Sequence, residues 1–272
     1  MIKRLSILTV FTLFIFSVYA DDYKLVWADE FNIDGAPNPE NWTYEHGFVR
    51  NHEAQWYQPQ NAICTNGMLI IEARKERVPN PYYDSSSRRW KNNRKFAEYT
   101  SSCLITKGLH SWKYGRFEMR ARIDARPGIW PAFWTLGVKE QWPWNGEIDI
   151  MEYYQGEILA NVIYGSKNGR KHISDSETIP LSKLGKEWAD QFHVWRMDWD
   201  EKSIRLYLDD QLINESSISD KNNPQNRSVK NPFQQPHYIL LNLAIGGTNG
   251  GSPKHTTFPS RFEIDYVRVY QK

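Results

Sequence analysis

The chain has 272 residues, with 34 Lys+Arg against 32 Asp+Glu. Two of the cations, Lys3 and Arg4, lie in the first twenty residues, so the remainder is formally neutral. A neutral chain of this length lacks the field that gathers nucleic acid or anionic membranes, and it is long enough for one sizeable all-β domain.

From the N-terminus, residues 1–20 carry Lys3 and Arg4, an apolar run over 5–16, and Val18 and Ala20 at small-residue cleavage positions. That pattern predicts a signal peptide: the run is shorter than the roughly 20 residues needed to span a bilayer. With no Cys at the cut, no lipid anchor is expected. The mature product is predicted to be soluble, secreted or periplasmic, with residues 21–272 forming a single monomeric domain.

Strand signals follow in order. Residues 69–73, 99–106, 117–123, 192–199, 204–208, 238–244 and 262–270 read as strands. The clearest is 117–123, where Phe117, Met119, Ala121 and Ile123 alternate with charged residues. Turns are marked by Asn66-Gly67, Asp209-Asp210, Gly246-Gly247 and Gly250-Gly251, and long polar loops by 78–95 and 219–236. Many short strands without a βαβ rhythm predict an all-β, antiparallel two-sheet sandwich or jelly roll. Cys64 and Cys103 are too few for a disulfide scaffold, and their spacing leaves free thiols and one bridge equally open. His193, between Phe192 and Val194, reads as a structural strand residue.

The segment 142–154, WPWNGEIDIMEYY, carries the chemistry. Glu147 and Asp149 share one strand face and Ile148 and Ile150 the other, so strict alternation would bury Glu152 among the isoleucines. An extra residue at Ile150-Met151, a β-bulge, returns Glu152 to the acidic face. The two glutamates then suit a retaining glycosidase: Glu147 attacks the anomeric carbon, Glu152 serves as acid and then base, and Asp149 tunes the protonation. A solvated acidic strand or a metal site is the alternative. Neither accounts for the flanking tryptophans, which belong to a chain with 12 Trp and 15 Tyr whose flat faces can stack on sugar rings. There is no phosphate-binding glycine loop, no paired-Cys zinc spacing and no recognisable serine triad.

At these residues the chain resembles glycoside hydrolase family 16. GEIDIMEYY from Gly146, WADEFN from Trp27, HEAQWY from His52, YGRFEMRARI from Tyr114, GIWPAFWTLG from Gly128 and FEIDYVRVYQ from Phe262 carry the likeness. The resemblance implies a β-jelly-roll with a concave substrate cleft and no cofactor for the chemistry. It gives Glu147, Asp149 and Glu152 the roles above and makes Trp130, Trp134 and Trp142 sugar subsites, although Trp134 also suits a core position. Asn51 or Glu53, and Arg74, become polar contacts for hydroxyl groups. It further implies a structural calcium held by the Gly67 carbonyl and Asp265, with Glu30 assisting; the alternative pairs Asp265 with an arginine. The His that laminarinases of the family often carry soon after the catalytic strand is missing from 160–165. The substrate therefore stands between a β-1,3-glucan and a β-galactoside chain such as keratan or mucin poly-N-acetyllactosamine. A lectin-like jelly roll that binds glycans without cleaving them is the rival from another class.

Overall fold

The computed structural model describes residues 22–168 and 171–272; the leader expected over 1–20 lies outside them. Two large antiparallel sheets stack face to face. The first runs Gln211–Ser217, Ser203–Leu208, His193–Trp199, Gly115–Ile123, Ser260–Gln271, Met68–Ala73, Ala62–Thr65, with Lys24–Asp29 also pairing on Ser260–Gln271. The second runs His172–Pro180, Glu157–Gly165, Glu147–Tyr154, Ile129–Gly137, His237–Ile245, Cys103–Ile105, Thr43–Tyr44. Non-consecutive neighbours in both sheets, such as Gly115–Ile123 beside Ser260–Gln271, give the crossovers of a jelly roll.

The period of two in Gly115–Ile123 builds the core. Phe117, Met119, Ala121 and Ile123 point inward and meet Phe133, Ile148, Ile158, Leu241 and Leu243 from the second sheet. Burying each large apolar side chain contributes about 1.5–3 kcal/mol, so this layer is the main glue between the sheets. The outward residues of the same strand form cross-strand ion pairs, Arg116 with Asp198, Arg120 with Asp265 and Arg122 with Glu263.

The second sheet is covered on both faces over its centre. Phe133 joins the main core while Ala132 and Trp134 pack with Tyr57, Cys103, Tyr238 and Leu240 on the opposite face. That double burial leaves Ile129–Gly137 without polar alternation, which explains why periodicity did not mark it as a strand. His172–Pro180 escapes for the opposite reason: it is an edge strand whose residues are nearly all exposed or partly exposed. The strand expected over 99–106 is two strands. Tyr99–Ser101 pairs in parallel with Gln55–Tyr57, whereas Cys103–Ile105 enters the second sheet. Cys64 and Cys103 are both buried free thiols, one in each sheet.

The bulge falls at Ile150-Met151. Asp149 lies opposite Asn161 and Glu152 opposite Leu159, so Ile150 and Met151 together face the single residue Ala160. Both are fully buried in the core, and Glu152 emerges on the same face as Glu147 and Asp149. Deleting Met151 removes the bulge and lets Glu152 follow Ile150 directly, still on the cleft face, but it takes a fully buried side chain out of the core. Such a variant is expected to lose about 2–5 kcal/mol of stability with the Met151 packing, whereas Met151→Leu should cost less than about 1.5 kcal/mol. Soluble yield and urea midpoints test this; a deletion variant as stable as the parent would refute the account.

Candidate active site

A cleft of about 630 Å³ lies over the outer face of the second sheet. Its floor comes from three neighbouring strands. Glu147–Tyr154 supplies Glu147, Asp149 and Glu152, Ile129–Gly137 supplies Trp130 and Trp134, and Glu157–Gly165 supplies Asn161. The turn into the acidic strand needs Gly146 at φ +76°, where a Cβ would come within 2.8 Å of Pro232.

Glu152 is fixed at both oxygens. The Trp130 indole donates to Oε1 at 2.8 Å, and the Asn161 amide donates to Oε2 at 2.9 Å and to Asp149 Oδ2 at 3.0 Å. Asp149 also hydrogen-bonds both glutamates, and the Trp142 side chain hydrogen-bonds Glu147. Burial pushes all three carboxyls upward. For Glu147 and Asp149 the charge of Glu152 adds to that, and both glutamates rise to about 7. Asp149 rises well above the usual carboxylate range, so it keeps a proton and donates it to its neighbours. The Arg50 guanidinium opposes the rise at Glu147; it lies 5.0 Å over the Trp134 ring and pairs with Glu45.

The other expected residues divide. Trp142 is about half exposed and packs 5.1 Å from His172, a geometry open to a sugar face. Trp134 and Trp130 both line the cleft but are mostly buried, the indole of Trp134 bound to Asn242 at 2.7 Å and that of Trp130 to Glu152. Asn51 and Glu53 line the cleft; Glu53 is buried, receives Gln55 at 2.7 Å, and burial raises its carboxyl. Arg74 corrects the expectation. It follows the strand Met68–Ala73, pairs with Glu72 at 2.7 Å, and does not line the cleft.

Two of the three expected calcium donors, Glu30 and Asp265, are otherwise engaged. Arg268 grips Glu30 through two bonds of 2.7 and 2.8 Å, and Arg120 holds Asp265 at 2.5 Å. Among the described residues no three His, Cys, Asp or Glu side chains gather around a metal position. A hard cation needs several unshared oxygens, so this set does not fit calcium as it stands, and the arginine pairing of Asp265 is the reading that holds.

Sequence reasoning missed Arg50, Asn161 and His172. An Asn within the apolar run Glu157–Gly165 is a usable signal, because a buried amide demands partners. Arg50 and His172 gave none, since only the tertiary fold carries them to the acids. His193 is structural: its ring nitrogens bond Asp209 at 3.0 Å and the Trp188 carbonyl at 2.9 Å.

The raised carboxyls make stability pH-dependent. With an ordinary value of 4.5 and a folded value of about 7, Glu147 contributes stability that is fully present below pH 4.5 and lost as pH rises through 7. Glu147→Gln should therefore be more stable than the parent at pH 8, by roughly 1–3 kcal/mol, with the advantage vanishing near pH 4.5. Denaturant titrations at both pH values measure it, and a difference that grows on acidification would contradict the electrostatics.

Known proteins resemble the chain over most of its length. The family model "Glycosyl hydrolases family 16" matches residues 50–268. A β-glucanase of Rhodothermus marinus is 36% identical over 93% of this chain and 86% of its own length. A keratan-sulfate endo-1,4-β-galactosidase of Sphingobacterium multivorum is 27% identical over 94% of this chain, which spans only 57% of that protein. Among solved structures, one described under endo-acting O-glycanases of the human gut microbiota that initiate mucin breakdown superposes with a TM-score of 0.81 at 36% identity, covering 92% of this chain and 91% of that one. The laminarinase catalytic domain of Thermotoga maritima gives 0.77 at 33% identity, covering 93% and 99%. With a family model spanning most of its length and relatives above 30% identity over nearly all of it, the chain belongs to glycosyl hydrolase family 16.

Proposed function

We propose that the protein is a retaining endo-β-glycosidase in which Glu147 is the nucleophile and Glu152 the general acid and base. The observation that carries this reading is the meeting of Glu147 and Glu152 in one cleft, with Asp149 hydrogen-bonded to both. In the first step a Glu147 oxygen forms a bond to the anomeric carbon as the glycosidic C–O bond breaks, and the Glu152 proton passes to the departing oxygen. In the second, Glu152 takes a proton from water as the water oxygen bonds to the anomeric carbon and the bond to Glu147 breaks, which releases a β-configured sugar and leaves Glu147 ionised and Glu152 protonated again. Trp130 and Asn161 hold Glu152 in place, and Arg50 favours the ionised Glu147 that attack requires.

As substrate we propose the β-galactoside linkages of lactosamine-type O-glycan chains. Support comes from the likeness to the mucin O-glycanase structure and from the strand Glu157–Gly165, which lacks a laminarinase-type histidine and offers the cleft Asn161 and Ile163. A second reading, β-1,3-glucan, is favoured by the equal identity to the Rhodothermus β-glucanase. A cleaved leader over 1–20, as the sequence pattern predicts, would put this action outside the cytoplasm.

The purified chain should release oligomers of several sizes from mucin O-glycans or keratan, with the first product retaining its anomeric configuration by proton NMR. Cleavage of laminarin alone would assign the second reading, and cleavage of none of these substrates would remove the proposal. Glu152→Gln and Glu147→Gln should each lower kcat on unactivated glycan by about 10³-fold or more, as expected when a nucleophile or general acid is lost.

Activity requires an ionised Glu147 beside a protonated Glu152, so kcat/KM should be bell-shaped in pH, with limbs that belong to the coupled pair. In Arg50→Gln the acidic limb should move to higher pH, because the positive charge that eases ionisation of Glu147 is gone. An unmoved limb would exclude Arg50 from that role.

A further inference from the structure

The chain pairs its arginines. Arg50 with Glu45, Arg74 with Glu72, Arg116 with Asp198, Arg120 with Asp265, Arg122 with Glu263, Arg126 with Asp124 and Arg268 with Glu30 are all ion pairs. Loop 78–95 breaks the pattern. Arg88, Arg89, Lys91, Arg94 and Lys95 fall within eight residues, and no acid occurs from 85 to 97. Arg88, Arg89, Lys91 and Lys95 are exposed and form no ion pair among the described residues. The one acid of the loop, Asp84, is committed to Ser86.

The loop is built, and it is anchored to the cleft. Its base closes through Val78–Pro79 against Phe96–Ala97, and the Asn80 amide donates to the carbonyls of Lys91 and Arg94, both at 2.8 Å. Arg94 then donates to the Glu53 carbonyl at 2.8 Å and the His52 carbonyl at 3.2 Å, and Trp90 stacks on His52 at 4.8 Å. Asn51 and Glu53 are cleft residues, so the loop continues the wall of the active site. It also shows rings: Tyr82 is 68% exposed and stacks on Trp56. Aromatic faces suit sugar rings, and unpaired cations beside them suit an acidic substituent.

We propose that loop 78–95 is an anion-recognising extension of the cleft, which binds a sulfate ester or carboxylate carried by the glycan away from the cleaved bond. This rests on the reading of the cleft as a glycan site. Exposed charges attract weakly one by one, but four on one anchored loop act together and fade as salt rises.

The test measures binding to Glu152→Gln protein, so hydrolysis does not intrude. The probes are keratan sulfate and its desulfated form, and a sialylated lactosamine oligosaccharide and its desialylated form. At low salt the Glu152→Gln protein should favour at least one acidic glycan over its stripped counterpart by about fivefold or more. A preference in the first pair assigns sulfate, and one in the second assigns carboxylate. Adding R88Q, R89Q, K91Q and K95Q should bring the ratio close to one, while R88K with R89K retains it; circular dichroism checks that each variant is folded. No preference in either pair, a preference that survives the four substitutions, or equally tight binding of dextran sulfate would overturn the proposal. If the unsubstituted enzyme cleaves none of the glycans, the hydrolytic reading falls while these affinity ratios still decide the loop.

Discussion

Three carboxyl groups within one buried patch cannot all carry charge, and the structure of the cleft is organised around that limit. Burial raises each of them, and Asp149, flanked by both glutamates, is pushed well above the usual carboxylate range. The donors are placed where negative charge remains. Trp130 and Asn161 serve Glu152, Trp142 serves Glu147, and Arg50 adds a positive field from the side. A patch with this cost is tolerated because a large apolar cluster is buried behind it.

The bulge joins the two halves of that arrangement. Without it, the residues that seal the core and those that line the cleft could not both be satisfied by one strand, since a side chain must point one way or the other. Ile150 and Met151 spend the extra residue on the core, leaving Glu152 on the open face. The other sheet is free of such demands. Its outer face is a ladder of arginine–carboxylate pairs, and the same ladder occupies Asp265, while a further arginine occupies Glu30.

Much of this was legible beforehand because it follows from alternation. The strand 117–123 read cleanly, since one face is buried and the other carries charge, and the broken alternation at Glu152 pointed to the bulge. What stayed hidden was what alternation does not encode. Ile129–Gly137 is buried on both faces, His172–Pro180 on neither, and 99–106 changes sheets partway. In the site, the acids announced themselves through a costly pattern, whereas Arg50 reaches Glu147 only through the folded loop that precedes Asn51. Trp130 was expected to carry sugar and does line the cleft, but its indole also serves a carboxyl, a tie that depends on where one nitrogen points.

The double duty of Trp130 constrains how the cleft can diversify. Its ring packs 5.2 Å from Tyr154 as part of the wall, and its nitrogen holds Glu152. Any replacement that reshapes this stretch of wall also changes the acid's affinity for its proton, so descendants of the sequence cannot adjust fit and acidity separately there. New preferences for sugars are more readily acquired at places with no such tie, such as Trp142 and the basic loop, where a side chain can change without disturbing the proton inventory of the three acids.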